Sequence, residues 1–275
     1  MAVANVSRSE PRIHPPSPSL RRGRLRKMKR KMKAPMRIIL AVATLLLGCG
    51  AALSADNSAP AEKTFDAPHG LKVSVKMIGP YSEPADLQII CLFKHKPSSD
   101  TYQGTAKDTD QHLHGLLSAL RNRDEFVGEL GETILFTPPA GSIPAQRFMV
   151  IGLGDEKDLS LDSLRVIGRT AAREAVRLKA KLVAWSPVIR DEGNSTIDVG
   201  EGGRAFIEQM ISAYDTEKRL QEQELAPAFS IEDVVIEAGP TYFESAAKQV
   251  EAGIESIAAE IVKRNSAPYS SAKMQ

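Results

Sequence analysis

The stretch that most restricts how this chain can fold is Arg147 to Ala175, RFMVIGLGDEKDLSLDSLRVIGRTAAREA. Phe148 to Leu153 is an apolar run of strand length, Gly152 and Gly154 punctuate its end, and from Leu159 the apolar residues switch to a helical period. The spacing predicts a strand, a short turn and a helix. Leu161, Leu164, Ile167, Ala171, Ala175 and Leu178 recur three or four residues apart, so they share one face, and that face packs on a sheet. Ser160 is placed to accept a hydrogen bond from an unpaired amide of the first turn. Asp162 sits where the helix dipole favours negative charge.

Ahead of the fold, residues Met1 to Arg37 hold twelve Lys or Arg and one acid, Glu10, a net charge of +11. Up to Leu25 this segment is rich in Pro, Ser and Arg without apolar periodicity, a composition that cannot bury a core and reads as disordered. A basic arm of this kind is one way to hold nucleic acid. Here it is followed by Ile38 to Leu47, almost wholly apolar, then by Gly48, Cys49 and small residues to Ala55, which is the layout of a secretory signal peptide over 38–55. The apolar core is shorter than a comfortable membrane span. Two exits compete. Leu46-Leu47-Gly48-Cys49 resembles a bacterial lipobox, in which Cys49 is lipidated and becomes the mature N-terminus; Ala52-Leu53-Ser54 offers an ordinary small-x-small cleavage site. Met28, Met32 and Met36 lie close to the apolar core and are alternative starts.

Removing the leader inverts the charge. The whole chain is +2, whereas the residues after Arg37 hold 24 Lys and Arg against 33 Asp and Glu, or −9. An acidic domain has no general attraction for a phosphate backbone, so nucleic acid is not an expected partner. With Cys49 lipidated, Cys91 is the remaining cysteine and no intramolecular disulfide can form. Its place in DLQIICLF predicts a buried strand residue.

Residues 56–70 are polar with Pro and Ala and read as a linker. A single domain is then expected over 71–268, with a tail over 269–275. Leu71 to Ile78 alternates as in a half-exposed strand, with Leu71, Val73, Val75 and Met77 on one face, and Asp86 to Phe93 is apolar throughout, as in a central strand. His112 to Arg123 predicts a helix with Leu113, Leu116, Leu117 and Leu120 inward. Strands are expected at Glu132 to Thr137, Leu182 to Val188 and Ile231 to Ala238, and helices at Gly203 to Glu224 and Tyr242 to Arg264. Alternating helices and strands imply parallel neighbours joined by crossovers, with the opening strands antiparallel. The expected class is α/β: a single three-layer domain, its mixed, mostly parallel sheet flanked by helices.

The strand ending in Gly-Leu-Gly, the acidic turn behind it and the helix pattern resemble the N-terminal domain of the leucyl aminopeptidases, the cytosol aminopeptidase family. The order of elements from Leu71 to Pro268 follows that domain, and Tyr242 to Asn265 with Ser266-Ala267-Pro268 is similar to the helix leading into the family's catalytic domain. The resemblance implies a macro-domain-like fold. It implies metal-dependent peptidase activity only where the second domain supplies a lysine and carboxylates around two metal ions. The chain ends seven residues past Pro268, so no catalytic residue, metal ligand or cofactor position of the family has a counterpart here. Glu201-Gly202-Gly203-Arg204 echoes part of the signature NTDAEGRL but lacks the Asn-Thr-Asp-Ala before it, and reads as chance. The glycine-rich loops and strand-end asparagine through which macro domains hold ADP-ribose are not found either.

Other constellations are weak. His112 and His114 stand two apart, which on a helix points them in different directions, and they read as surface residues. His69 and His95 read as loop residues. Gly152 and Gly154 lack the third glycine of a dinucleotide fingerprint, and Asp155, Glu156 and Asp158 would repel a phosphate. Trp185 reads as core. No GxSxG, HExxH or CxxC occurs. The leading expectation is an exported, non-catalytic stand-alone homologue of the aminopeptidase N-terminal domain, a binding or oligomerisation module at the cell envelope. It is either periplasmic or anchored through Cys49, with another copy or an envelope protein as partner and no cofactor. The alternative is one part of a leucyl aminopeptidase, a metallo-exopeptidase, whose catalytic domain is on a separate chain. The family's hexamers suggest self-association, for which the final helix carries an apolar stripe of Phe243, Ala246, Val250, Ile254, Ile257 and Ile261.

Overall fold

The computed structural model describes residues 60–96 and 102–269. The basic leader, the signal-like core and Cys49 lie outside the described residues. Seven strands form one sheet in the order β1-β2-β7-β6-β3-β5-β4. They are β1 (Glu62–Asp66), β2 (Lys72–Lys76), β3 (Leu87–Leu92), β4 (Thr133–Phe136), β5 (Phe148–Gly152), β6 (Leu182–Ser186) and β7 (Asp233–Glu237). The five inner strands run parallel, while β1 on β2 and β4 on β5 are antiparallel edges. Both edges are partly exposed, whereas every residue of β3 and β5 is buried, as their unbroken apolar runs predict.

Helices cover both faces. On one side α3 (Leu161–Leu178), α4 (Val199–Glu222) and α5 (Phe243–Lys263) bury their stripes against Val73, Ile89, Met149, Val183 and Val234. On the other, α1 (Gly104–His112) and α2 (Leu116–Asn122) cover Ile90, Leu92, Phe148 and Val150. The result is three layers. The Ser160 side chain accepts from the Ser163 amide at 3.3 Å and caps α3, as its position predicts. Helices α3 and α4 meet at Gly168, where a Cβ would stand 2.2 Å from the Phe206 carbonyl oxygen, so only glycine permits this approach. No helix of the described residues is long and apolar enough to cross a membrane.

Several expectations need correction. Residues 62–66 of the expected linker form β1, and Pro68–Gly70 is a 3-10 turn, so the domain begins before Leu71. An exposed EKTFD segment has no strand signature of its own; its pairing with β2 supplies one. The two opening strands are not an antiparallel pair. Strand β2 lies between β1 and β7, and β3 between β6 and β5; β2 runs parallel to β7, and β3 parallel to both its neighbours. The single helix expected from His112 is two helices, broken where His114 and Gly115 take positive φ of 58° and 79°. Helix α4 starts at Val199, four residues ahead of expectation, because the Asp198 carboxylate accepts from the Glu201 amide at 3.1 Å.

His69 is no free loop residue. Its Nε2 lies 2.8 Å from Asp215 Oδ1 on α4, whose Oδ2 accepts from Arg264 Nη1 at 2.5 Å, just past the end of α5. Asp215 is 2% exposed, so this carboxylate ties the turn before β2 and the exit of α5 to one point on α4. The apolar stripe of α5 is buried on the domain's own core at Phe243, Ala246, Val250, Ile254 and Ile257, with Ile261 packed alongside. It therefore holds α5 in place.

Candidate functional site

Helix connections leave the carboxyl ends of β3 and β6 toward opposite faces of the sheet: β3 leads to α1, β6 to α4. Neighbouring parallel strands whose connections diverge leave a crevice at that edge, the usual place for a ligand in open α/β sheets. A cavity of about 130 Å³ lies beside that edge, between the ends of β6 and β7, the first turns of α4 and the 3-10 turn Ile189–Glu192. Its wall is largely apolar. Trp185 stacks on Phe206 with ring centroids 3.9 Å apart and planes 3° from parallel, while its indole N–H donates to Cys91 Sγ at 3.3 Å. Leu164, Val188, Ile197 and Tyr242 are among the other apolar residues that line it.

The charged groups at the rim are engaged by the fold. Arg190 donates from Nη1 to the Asn194 carbonyl at 3.2 Å and from Nη2 to the Ile197 carbonyl at 2.8 Å, with its guanidinium 5.9 Å from the centre of the Tyr242 ring. Asp191 Oδ2 accepts from the Ala106 amide at 3.0 Å, capping α1 where Gln103 has no side-chain bond to give. Burial pushes the Asp191 carboxyl up, against the pull of the Ala106 and Thr105 amides. Asp198 is spent on the start of α4.

Glu237 differs from these. It closes β7, is 4% exposed and lines the cavity beside Ser186, the last residue of β6. Its Oε2 accepts from Gln88 Nε2 at 3.1 Å; its Oε1 makes no hydrogen bond. Burial holds its acidity well above the usual carboxylate range, the Gln88 amide works against that, and the nearby Glu83 charge adds to it. Glu83 itself is paired with Lys76 at 3.0 Å. Burial thus favours the neutral acid of Glu237 more than that of an exposed glutamate.

The residues singled out in the sequence lie elsewhere or are structural. His112 ends α1 with its ring stacked on Tyr81, centroids 4.7 Å apart, and His114 sits in the turn that follows. Among the described residues no group of three or more His, Cys, Asp or Glu side chains is placed to hold a metal ion. Gly152 is a tight strand exit: a Cβ there would lie 2.0 Å from the Glu129 carbonyl oxygen, so backbone fills the space a phosphate would need. Trp185 is core, 1% exposed, and lines the cavity as well. The cavity's own polar groups, Ser186, Arg190, Asp191 and Glu237, escape sequence reasoning. The one local signal is an acid ending the apolar run DVVIE.

The fold and its crest cavity define a three-layer α/β domain of the macro-domain-like kind. The Oceanobacillus iheyensis macrodomain determined with ADP superposes with a TM-score of 0.52 at 13% identity, covering 72% of this chain and 100% of that one. A tomato leucine aminopeptidase variant superposes at 0.53 and 19% identity, covering 73% of this chain and 38% of that one. The family model "Cytosol aminopeptidase family, N-terminal domain" matches residues 89–221, from within β3 to the last turn of α4. Residues 89–221 are therefore similar to the N-terminal domain of the cytosol aminopeptidase family. A probable cytosol aminopeptidase of Alkaliphilus oremlandii is 35% identical over 106 residues, 36% of this chain and 21% of the relative. One from Thermosynechococcus vestitus is 30% identical over 112 residues, 41% of this chain and again 21% of the relative. The matched part of the chain spans about a fifth of the length of these curated relatives.

Proposed function

We propose that this chain is a binding module built on the aminopeptidase N-terminal fold, that it acts outside the cytoplasm, and that it takes a small ligand in the cavity at the ends of β6 and β7. The observation carrying this reading is the cavity itself. It sits at the carboxyl ends of β6 and β7, is lined by apolar side chains, and has rim charges already committed to helix caps and backbone carbonyls. Binding fits such a site better than turnover. Asp191 and Asp198 are occupied as caps, and Glu237 accepts from Gln88. The apolar run Ile38 to Leu47 behind a basic flank supports export, with lipidation at Cys49 or cleavage near Ser54 as its end point.

The purified chain is expected not to hydrolyse leucine p-nitroanilide with zinc or manganese added. Turnover that chelation abolishes and repurification preserves would favour the alternative of a peptidase component. Fractionation of cells producing the chain, with labelled palmitate and a Cys49→Ser variant, tests export. Full-length chain confined to the cytoplasm would remove that part of the proposal. Partners are proposed in the same sense, as a second copy or an envelope protein, with sedimentation to read the first and pull-down from the envelope the second.

A further inference from the structure

We infer that the cavity at the ends of β6 and β7 takes a compact, uncharged, apolar group about the size of a six-membered ring. This rests on the binding reading above and narrows it to a ligand class.

Size sets the first limit. A cavity of about 130 Å³ is slightly smaller than the roughly 150 Å³ apolar cavity that admits benzene, so one ring fills its enclosed part and a fused pair of rings does not enter. The wall sets the second. Leu164, Trp185, Val188 and Ile197 lie on it, so a ligand gains by taking apolar surface out of water. The indole of Trp185 stacks on Phe206 and its N–H is spent on Cys91 Sγ at 3.3 Å, so this large wall residue has no donor left to give a polar ligand. Charge sets the third. Every charged side chain of the lining is already engaged. Asp191 accepts from the Ala106 amide, Asp198 from the Glu201 amide and Glu237 from Gln88, while Arg190 donates to the carbonyls of Asn194 and Ile197. A ligand anion would meet three acids and a ligand cation the guanidinium, and either finds its counter-charge already holding protein groups, so burying it is unfavourable. An uncharged apolar ring meets all three limits.

The chain has one tryptophan, and Trp185 lines the cavity, so its fluorescence reports occupancy without a label. The full chain is titrated at pH 7 with benzene, with benzoate and benzylamine, which hang a negative or a positive charge on the same ring, and with naphthalene. Benzene is expected to change the emission saturably, and benzoate and benzylamine to bind at least about tenfold more weakly, because the buried charge goes unpaired. Naphthalene should leave the wild type unchanged but bind Leu164→Ala, which shortens a side chain of the wall. Leu164 is buried, so if that variant does not fold, Ile197→Ala enlarges the same wall at a half-buried position. Silence with benzene in the wild type and with naphthalene in the enlarged variant would sink the cavity reading itself. Benzoate or benzylamine binding as well as benzene overturns the uncharged class, and naphthalene binding the wild type as well as benzene overturns the size limit, each with the cavity reading intact. Benzene binding with no gain for naphthalene in the enlarged variant would place benzene elsewhere and overturn the inference too.

Discussion

Replacing Glu237 with Gln should stabilise the domain, and by more the higher the pH. In the unfolded chain a glutamate loses its proton near the ordinary value of 4.5, whereas burial keeps the folded carboxyl protonated well above it. Between those two points the unfolded state binds fewer protons than the folded state, so folding stability falls as pH rises. The stability linked to Glu237 is therefore fully present below about pH 4.5 and is lost up to its folded pKa. Within that window each pH unit lowers the wild-type folding constant about tenfold, or about 3–6 °C in Tm for a domain of this size. Glutamine keeps the shape and the carbonyl that accepts from Gln88, without a titrating proton. Asp191 and Asp233, also raised by burial, contribute equally to both proteins, so the difference isolates Glu237. Thermal melts followed by circular dichroism from pH 4 to 8 read the gap directly. Curves that differ by a constant, or converge with rising pH, would refute a buried neutral Glu237.

Three further outcomes are expected. Asp215→Ala removes the acceptor shared by His69 and Arg264 and should cost at least about 2 kcal/mol, a figure discounted because Arg264 is partly exposed; an unchanged urea midpoint would contradict it. Gly168→Ala forces α3 and α4 apart and should cost about 1–3 kcal/mol, read as a lower denaturant midpoint. Alanine there would be neutral or stabilising only if the close approach were wrong. In a Cys49→Ser variant, Cys91, whose thiol burial pushes up to about 12, should ignore Ellman's reagent until the protein unfolds; rapid labelling under native conditions would show that it is accessible.

The sequence made the interior legible and left much of the crest unread. Segments with a strong local pattern, such as the runs of β3 and β5 and the capped start of α3, fold as their own residues dictate. Elements whose identity comes from a distant partner were hidden. EKTFD is a strand because of its ladder with β2, and His69 matters because Asp215, distant in the chain, lies 2.8 Å away. The cavity belongs to the second kind. Ser186, Arg190 and Glu237 are unremarkable in their own neighbourhoods and meet only through the order of β6 and β7 in the sheet. Even the split of α1 from α2 depends on Asp110, whose carboxylate accepts from the Leu117 and Ser118 amides and so starts the second helix while the first is ending.

The carboxylate of Asp215 has a consequence for how the domain opens. The turn at Pro68–Gly70 precedes β2 and Arg264 follows α5, yet both are held by the two oxygens of one side chain on α4. Fluctuations at the two extremities of the fold are thereby linked: fraying of either end leaves a buried anion half-matched and makes release of the other easier. In hydrogen exchange the amides of β1 and those of the last turn of α5 should open as one cooperative unit, although they stand at opposite ends of the folded chain.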